Sequence, residues 1–322
     1  MTEQPTVVTG VGLALAGVET ASDVLNRTAR GIPPVDPAAR IGKKGLRYKD
    51  RATQLALVAA DDAVRDAGLL DGAGRDAVLT VPPASVAVVV SSNFGNLDSV
   101  CEVVRVIAEE QSTRLVSPIT TPNLSSNVIA SEVAIRFALR GPNLMVCNGA
   151  TSGLDAVYWA KTWLGSERAT HVLVLGVETD NPIVRGLVGT DHVLDGAAAI
   201  VLERAGTAAG RGATVHAELG RYVRISGVHT ALSALGADGA DAAGWYLPEG
   251  GRVADGVLPG TARFDLSTTW GRASGALGVL QCVSAIGQFA AGTTGPLYAV
   301  SGADSDDASA GILLRPGWGS AR

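Results

Sequence analysis

Hydrophobic and polar residues along the chain form two kinds of segment. Short runs such as 85–91 (SVAVVVS) and 171–177 (HVLVLGV) are apolar at nearly every position, as expected of strands that are covered on both faces. Between these runs lie longer segments in which apolar residues recur every three or four positions, which predicts amphipathic helices. The pattern as a whole predicts an α/β fold.

The first two thirds of the chain contain most of the predicted elements. Strands are expected at 6–12, 85–91, 144–148, 171–177 and 193–203, and helices at 19–30, 50–67, 100–107, 124–139 and 154–164. Gly68 follows the second of these helices as a C-cap would. The segment 31–48 is rich in Pro, Gly and basic residues, which predicts a solvated connection.

A run of small residues, 206–212 (GTAAGRG), predicts a linker between two halves of similar strand and helix order. We therefore divide the chain into an N-terminal half, 1–205, and a shortened C-terminal half, 213–322. Residues 236–260 are dominated by Gly, Ala, Asp and Pro and are predicted to run as a loop. Elsewhere in the second half, strands are predicted at 215–225, 264–266, 297–300 and 310–314, and a helix at 271–291.

Composition narrows the classes of function. With 322 residues and 47% hydrophobic content, the chain can bury a large core. Its net charge of −5 is spread without a Lys/Arg cluster, which argues against nucleic acid or a membrane as a partner. No segment has the length of an apolar membrane span, and the N-terminus does not read as a leader, so a soluble, cytoplasmic protein is expected.

The cysteines and glycines predict neither a metal nor a bound cofactor. Three cysteines, Cys101, Cys147 and Cys282, lie far apart in mostly apolar runs and are expected to be buried free thiols. No cysteine or histidine pair has the spacing of metal ligands. The stretch Gly10-Val11-Gly12 follows a strand but lacks the third glycine and the directly following helix of a dinucleotide-binding turn.

The stretch 141–153 (GPNLMVCNGATSG) passes from a short strand through small residues into a helix. Small residues allow a tight turn, and the first amides of the helix can stabilise an oxyanion or a thiolate. The sequence GPNLMVCNGATSGLDAV resembles the nucleophile turn of the β-ketoacyl synthases of the thiolase fold. In that register the catalytic cysteine falls on Ala150, which has no reactive atom, and Cys147 lies three residues earlier.

Two further segments carry the same resemblance. Residues 50–69 resemble the second helix of ketosynthases, and 193–203 resemble the strand that follows the nucleophile helix. The resemblance implies a thiolase-like duplicated αβαβα fold of five layers, in which the second half is trimmed.

The resemblance also implies further reactive positions, and each of them is replaced. The stretch in the place of the first catalytic histidine, 244–251 (GWYLPEGG), has no histidine, and Arg272 stands at the second. The lysine that usually precedes the second histidine is missing from the segment that begins at Ser267, and 302–307 (GADSDD) replaces the closing glycine gate. No condensation by this chain alone is expected.

Three residues leave alternatives open. Cys147 is either a buried structural cysteine on the strand, which we favour, or a displaced nucleophile. Ser152 does not stand in a G-x-S-x-G turn, and no histidine has a position in the sequence that identifies it as a catalytic partner of Ser152. Both observations argue against a hydrolase. Arg272 either pairs with an acidic residue, which we favour, or binds a carboxylate or phosphate.

A family member that keeps the scaffold and loses these groups is similar to the chain-length factors of type II polyketide synthases, which are silent copies of the ketosynthase. The resemblance implies an active ketosynthase as heterodimer partner and an acyl carrier protein that presents the growing chain. Two alternatives remain. One is a decarboxylase that makes a primer from malonyl-carrier protein, and the other is a homodimer that binds acyl groups or carrier protein without reacting.

The same resemblance implies where the partner subunit binds. The dimer interface would consist of Leu144, Met145, Val146, Cys147 and Asn148, while Ile119, Thr120 and Thr121 would reach the partner's pocket. Because the two threonines are small, they would leave a long tunnel for an extended polyketide or polyene chain.

Overall fold

The computed structural model describes residues 4–26, 31–72, 77–237, 241–251, 253 and 256–318. Its strands are β1 (Thr6–Ala14), β2 (Leu70–Asp71), β3 (Val78–Leu79), β4 (Val86–Ser91), β5 (Asn143–Val146), β6 (His171–Glu178), β7 (Gly196–Arg204), β8 (Ala217–Ile225), β9 (Gly244–Tyr246), β10 (Arg263–Phe264), β11 (Leu297–Ser301) and β12 (Ser309–Pro316). Its helices are α1 (Asp23–Asn26), α2 (Pro37–Ile41), α3 (Arg51–Asp66), α4 (Leu97–Glu110), α5 (Val128–Arg136), α6 (Ser152–Gly165), α7 (Pro182–Val188), α8 (Ala205–Gly210), α9 (Val228–Ala234), α10 (Ser267–Trp270) and α11 (Leu277–Ala290).

The main sheet repeats one strand topology twice. Its order is β10-β9-β11-β12-β8-β1-β7-β6-β4-β5, and β2 pairs with β3 in a separate ribbon. When the five strands of each half are numbered 1 to 5 along the chain, both sets have the spatial order 3-2-4-5-1 from the outer edge inwards. In this order the pairs 3-2 and 2-4 are parallel, and the pairs 4-5 and 5-1 are antiparallel. The two sets join where Thr6–Val8 of β1 pairs with β8.

Helices separate and cover the two sets of strands. The central helices α6 and α11 share one apolar core with strands of both halves, which includes Leu154, Leu280, Val174 and Ile312. Helices α3 and α5 pack on the other face of the first set of strands. Alternate residues of β6 point to opposite faces of the sheet, so this strand contributes side chains to both cores. Helix α9 covers the outer face of the second set, where its core includes Leu232. These are the five layers of the expected duplicated αβαβα fold.

Close contact between the central helices depends on two glycines. A Cβ on Gly153 would lie 2.6 Å from the backbone nitrogen of Gly278, and a Cβ on Gly278 would lie 2.4 Å from the nitrogen of Leu154. Real Cβ atoms do not approach backbone atoms so closely, so the starts of α6 and α11 can be in contact only if both of these positions are glycine. This contact holds the turn before α6 against the second half.

The prediction of a continuous loop over 236–260 was wrong. Strand β9 lies inside this segment, and its Trp245 and Tyr246 are both 0% exposed. The strand is three residues long and is flanked by Gly, Ala and Pro, so its sequence is too short to show the pattern of a covered strand. Among the residues that the structure describes, the second half therefore contributes five strands to the main sheet, and α9 packs on their outer face.

Other differences concern helix boundaries. The expected linker contains helix α8, whose Ala208 is buried against Val7 and Val215. The helix expected at 124–139 begins at Val128, after a 3₁₀ turn, and its Ile135 is 73% exposed, although its spacing predicted a core position. The segment 31–48 contains the short helix α2.

The helix expected at 19–30 is represented by α1, and residues 27–30 lie outside the described part of the chain. The remaining strands start and end within a few residues of their predicted positions. None of the helices in the described ranges is both long enough and apolar enough to cross a membrane. The division into halves at 205 and 213 stays a prediction.

Candidate functional site

The turn between β5 and α6 keeps a compact, hydrogen-bonded geometry. Gly149 has φ +68°, a left-handed conformation that favours glycine, and a 3₁₀ turn runs from it to Thr151. The Ser152 hydroxyl accepts the N–H of Asn148 at 2.7 Å and lies 2.8 Å from the carbonyl oxygen of Gly149. Ser152 therefore closes the turn, and Ala150 presents a methyl group where the nucleophile would stand.

Asn93 links this turn to the start of α11. Its side-chain amide donates to the carbonyl oxygen of Gly149 at 2.9 Å and to the hydroxyl of Ser274 at 2.7 Å. Ser274 has φ +42°, which is an uncommon backbone conformation for a residue with a side chain. Such strained residues persist where their surroundings fix them, and they cluster at functional sites. Loops of both halves thus converge on Ala150.

A fully buried carboxyl group, Glu178, lies beneath these loops. It ends β6 with 0% exposure and accepts the backbone N–H of Asn93 at 2.6 Å, of Phe94 at 3.1 Å and of Gly275 at 3.0 Å. The hydroxyl of Ser92 donates to it as well, at 3.1 Å. Burial raises the pKa of Glu178 to about 7, against the opposing effect of these hydrogen bonds. Sequence reasoning missed this residue, although an acid at the end of an apolar strand signals it.

Arg272 pairs with Glu249, as the favoured alternative predicted. The Arg272 Nε lies 3.1 Å from Oε2 of Glu249, and the side chains are 49% and 11% exposed. Glu249 also accepts the backbone N–H groups of Ala273 and Ser274, at 2.5 and 2.8 Å. Glu249 follows β9, in the stretch 244–251 that the resemblance was expected to place at the first histidine. A half-exposed arginine and a largely buried glutamate therefore occupy this wall of the site.

The backbone around Arg272 is also fixed. Its N–H donates to the carbonyl oxygen of His192 at 2.9 Å, and a Cβ on Gly271 would lie 2.3 Å from that oxygen. Ser267, where the resemblance led us to expect the family's lysine position, donates its hydroxyl to Asp265 at 2.6 Å at the start of α10. Neither contact offers a free base to the turn at Ala150.

The prediction that Cys147 is a buried strand residue was wrong. Strand β5 ends at Val146, and Cys147 is exposed in the single chain, with its sulfur 3.9 Å from the carbonyl oxygen of Asn93. Partial burial of the sulfur raises the pKa of Cys147, and the charge of Glu178 raises it further. A raised pKa keeps the group as a thiol, which is opposite to the activation that a nucleophile needs. Of the other two cysteines, Cys282 is buried and Cys101 is half-buried.

The predicted interface segment, Leu144 to Asn148, lies at an open edge of the sheet. Strand β5 is the last strand, and its neighbour β4 bonds to it through the carbonyl oxygens of Pro142 and Val146. Because backbone groups alternate in direction along a strand, those of Asn143 and Met145 point to the open edge. Open edges of this kind can pair with another chain.

An aromatic cavity adjoins this edge. It has a volume of about 640 Å³ and is lined by Leu144 to Asn148 together with Tyr158, Trp159 and Tyr222. Tyr158 and Trp159 are each 42% exposed, and the rings of Tyr158 and Tyr222 stack with centroids 4.7 Å apart.

The predicted tunnel residues lie in a surface turn after α4. Ile119 is 59% exposed and Thr121 is exposed, while Thr120 is half-buried. Both threonine hydroxyls donate to the carbonyl oxygen of Ser117, at 3.3 and 2.9 Å. The structure thus brings Ala150, Glu249 and Arg272 into one region and leaves 119–121 on the outside of the chain. No group of three or more potential metal-ligating side chains was found within the described ranges.

Comparison with known proteins shows which family the chain resembles. Residues 34–188 match the N-terminal domain of the β-ketoacyl synthases. The chain is similar to the β-ketoacyl synthases over this segment. It is 30% identical over 236 residues to the granaticin polyketide β-ketoacyl synthase 1 of Streptomyces violaceoruber, a match that covers 64% of the chain and 54% of that relative.

A second β-ketoacyl synthase relative is the 3-oxoacyl-[acyl-carrier-protein] synthase 2 of Vibrio harveyi, with 28% identity over 62% of the chain and 52% of the relative. The chain therefore spans about half the length of these two relatives. The ishigamide ketosynthase/chain length factor has a similar structure, with a TM-score of 0.77 over 97% of the chain and 99% of the other, at 21% identity.

A ketosynthase solved with its type II polyketide acyl carrier protein gives the same TM-score, 0.77, over 98% of the chain and 100% of the other, at 15% identity. At these identities, the two structural comparisons show the fold. They confirm the thiolase-like ketosynthase fold that the sequence predicted.

Proposed function

We propose that this chain is a non-catalytic, chain-length-factor-like subunit of a type II polyketide synthase. It pairs with an active ketosynthase and shapes the tunnel in which the growing chain lies. The observation that carries the proposal is the turn at Ala150, whose geometry is kept while its reactive groups are replaced. Gly149 and Ser152 hold the turn, and Glu249 and Arg272 pair where basic residues are needed for decarboxylation.

Chemistry explains why this site does not condense acyl groups. The reaction needs a thiolate that carries the acyl chain and bases that polarise the malonyl thioester as carbon dioxide leaves. Ala150 cannot form the acyl thioester, and Cys147 is held as a thiol by its raised pKa. Arg272 is paired with Glu249, and a guanidinium group has donors but no acceptor, so it cannot act as a base.

The comparisons support the partners of the proposal. One protein of the same fold is described as a ketosynthase/chain length factor, and another is a ketosynthase in complex with a type II polyketide acyl carrier protein. We extend both partners to this chain: a ketosynthase subunit as heterodimer partner and an acyl carrier protein that delivers the growing chain. We place this assembly in the cytoplasm, where unpaired cysteines stay reduced.

The surface of the chain supports the arrangement of the pair. In this proposal the second subunit binds at the open edge of β5 and at the cavity beside Trp159, and the unpaired edge and the exposed aromatic lining support that placement. Thr120 and Thr121 lie on the outer surface of their own chain, which leaves them available to reach a partner's pocket.

Reconstitution tests the proposed function. The chain and a ketosynthase from the same biosynthetic system are purified separately and together, and elongation of malonyl-carrier protein is assayed for each sample. We expect a 1:1 complex that elongates, and no elongation by this chain alone. Carbon dioxide release from malonyl-carrier protein by this chain alone would show a decarboxylase and overturn the proposal. A stable homodimer that does not bind the ketosynthase would overturn the proposal as well.

A further inference from the structure

A second cavity lies towards the end of α6 that is remote from the turn at Ala150. It has a volume of about 680 Å³, and its lining includes Tyr158 and Lys161 of this helix. Lys161 lies nine residues after Ser152, the first residue of α6, which is about 13 Å along the helix axis. Small-molecule sites have volumes of roughly 300–1,000 Å³, so this cavity is large enough for a ligand of its own. We call it the basic cavity.

Three basic side chains that are far apart in the sequence meet in the lining of the basic cavity. They are Lys161 on α6, Arg204 at the end of β7 and Arg221 on β8. One carboxylate, that of Glu167, stands among them, so the lining has a net charge of +2, while the whole chain carries −5. The fold thus gathers positive charge that the sequence shows only as scattered residues. Such a local positive field favours an anionic ligand.

Arg221 is the basic group that its own chain leaves open. It is exposed on β8, and its guanidinium group has no hydrogen bond or ion pair with any residue that the structure describes. Lys161 is held beside the same strand, because its ammonium group donates to the carbonyl oxygen of Leu219 at 3.1 Å. A guanidinium group presents a planar fork of donors that matches the oxygens of a phosphate.

The third basic group, Arg204, is fixed by the backbone. Its Nε donates to the carbonyl oxygen of Leu164 at 2.8 Å, and its Nη2 donates to that of Gly165 at 3.0 Å. Its Nη1 lies 3.1 Å from Oε1 of Glu167, whose side chain is 77% exposed. Exposed ion pairs of this kind contribute little to stability, so an anionic ligand can take the place of Glu167.

A stacked pair of tyrosines forms the wall beside the basic groups. The rings of Tyr158 and Tyr222 are 4.7 Å apart and inclined by 25°, and both residues line the cavity. The hydroxyl of Tyr222 donates to Asp155 at 2.5 Å, which fixes the pair, and Tyr158 is still 42% exposed. Exposed aromatic rings are surfaces on which nucleic-acid bases stack. Tyr158 also lines the aromatic cavity beside β5 and so separates the two cavities.

We infer that the basic cavity binds a purine nucleotide, whose phosphate groups contact Arg221, Lys161 and Arg204 and whose base stacks on Tyr158. A nucleoside diphosphate carries both a planar ring and several negative charges, which suits the tyrosine wall and the positive lining together. A simple anion leaves the tyrosine wall unused, and an apolar acyl chain leaves the basic groups without a partner. This inference does not depend on the proposed function.

Calorimetric titration of the full chain with ADP and GDP at low salt tests the inference. Adenosine, which lacks the phosphates, and inorganic pyrophosphate, which lacks the base, are titrated in parallel. We expect one nucleotide to bind 1:1 and at least about tenfold more tightly than either fragment, and its binding to weaken as salt is added. Equal affinity for a nucleotide and a fragment would overturn the assignment. Absence of binding by both nucleotides at millimolar concentration would overturn it as well.

Variants locate the nucleotide in the basic cavity. We expect Arg221→Gln to raise the Kd for the nucleotide at least about tenfold, because it removes the open guanidinium group. Arg114→Gln is the matched control, since Arg114 is an exposed arginine outside the cavity, and it should bind like wild type. Glu167→Gln removes the competing carboxylate and should lower the Kd. Thermal unfolding verifies that each variant is folded, and equal binding by Arg221→Gln and Arg114→Gln would show that the nucleotide binds elsewhere.

Discussion

The carboxyl group of Glu178 connects the loops around Ala150, and its ionisation should affect stability. Burial raises its pKa from 4.5 to about 7, so the folded chain binds a proton that the unfolded chain releases at lower pH. The contribution to stability is therefore complete below the unfolded pKa and is lost as the pH rises through about 7. This window lies above the range in which ordinary carboxyl groups titrate.

We expect Glu178→Gln to remove this dependence on pH. Between about pH 5 and about pH 8, the free energy of unfolding of the wild type should fall, relative to the variant, by roughly 3 kcal/mol. Urea unfolding at a series of pH values measures the difference. Glu110→Gln, at an exposed position, is the control, and its free energy of unfolding should vary with pH in the same way as that of the wild type. Parallel curves for Glu178→Gln would show that Glu178 keeps its ordinary pKa.

The residue Thr120 tests the proposed tunnel. It lies half-buried in a surface turn, so a larger side chain can be placed there without disturbing the core. We expect Thr120→Trp, in the reconstituted pair, to shorten the product by one or more extension units. The indole would fill space at the end of the tunnel that holds the growing polyketide. Mass spectrometry of the released products measures their length. Thr230→Trp, at an exposed position of α9, should change nothing; unchanged products from Thr120→Trp would refute the tunnel assignment.

Among the elements, the two central helices depend on the contact between Gly153 and Gly278. We expect Gly278→Ala to destabilise the chain by about 3 kcal/mol, because its methyl group must displace backbone atoms rather than flexible side chains. The matched control is Gly186→Ala in α7, where no atom lies within 4 Å of the new Cβ. That change should be neutral or stabilise by up to about 1 kcal/mol. Equal unfolding free energies for the two variants would contradict the packing.

Elements with long, regular patterns could be predicted from the sequence, and short or irregular ones could not. The apolar runs of β4 and β6 and the spacing of α3 identify these elements because their burial repeats over several residues. Strand β9 offers three residues, and α8 has the composition of a linker, so only tertiary contacts reveal them.

The site was predicted in part for a similar reason. Ala150 and Arg272 follow from motifs that are local in sequence, and the pairing of Arg272 follows from the need of a charged group for a partner. The role of Glu178 depends on contacts between residues 84 or more positions apart, and the identity of the partner of Arg272, Glu249, depends on a loop without a pattern. The exposure of Cys147 could not be predicted, because the sequence does not show that β5 is the edge strand of the sheet and that its open edge is uncovered.

At the scale of the whole molecule, the repeated order of strands leaves two different edges. One edge of the sheet is β10, a two-residue strand, and the other is β5, which is four residues long and flanked by exposed aromatic residues. A short edge strand protects against pairing, whereas a longer one allows it. The β5 edge is therefore where the sheet can extend into a second subunit.

The direction of the backbone groups in β5 gives a test of this extension. The N–H of Met145 points to the open edge, while the carbonyl oxygens of Pro142 and Val146 bond to β4. Met145→Pro removes that outward N–H and spares the bonds to β4, because proline is tolerated on the open side of an edge strand. Because the half-buried Met145 side chain packs against the core of the first half, we expect the variant alone to keep its fold and to unfold at a somewhat lower temperature.

In the reconstituted pair, Met145→Pro should raise the Kd for the ketosynthase at least about tenfold, since an edge-to-edge contact loses a backbone donor and the proline ring blocks close approach. Titration calorimetry measures the Kd. Met145→Leu is the control, because it keeps the backbone N–H and a side chain of similar volume, and it should bind like wild type. Equal affinity of the proline and leucine variants would mean that the partner contacts the side chains of β5 and not its backbone, and the sheet would then end within this chain.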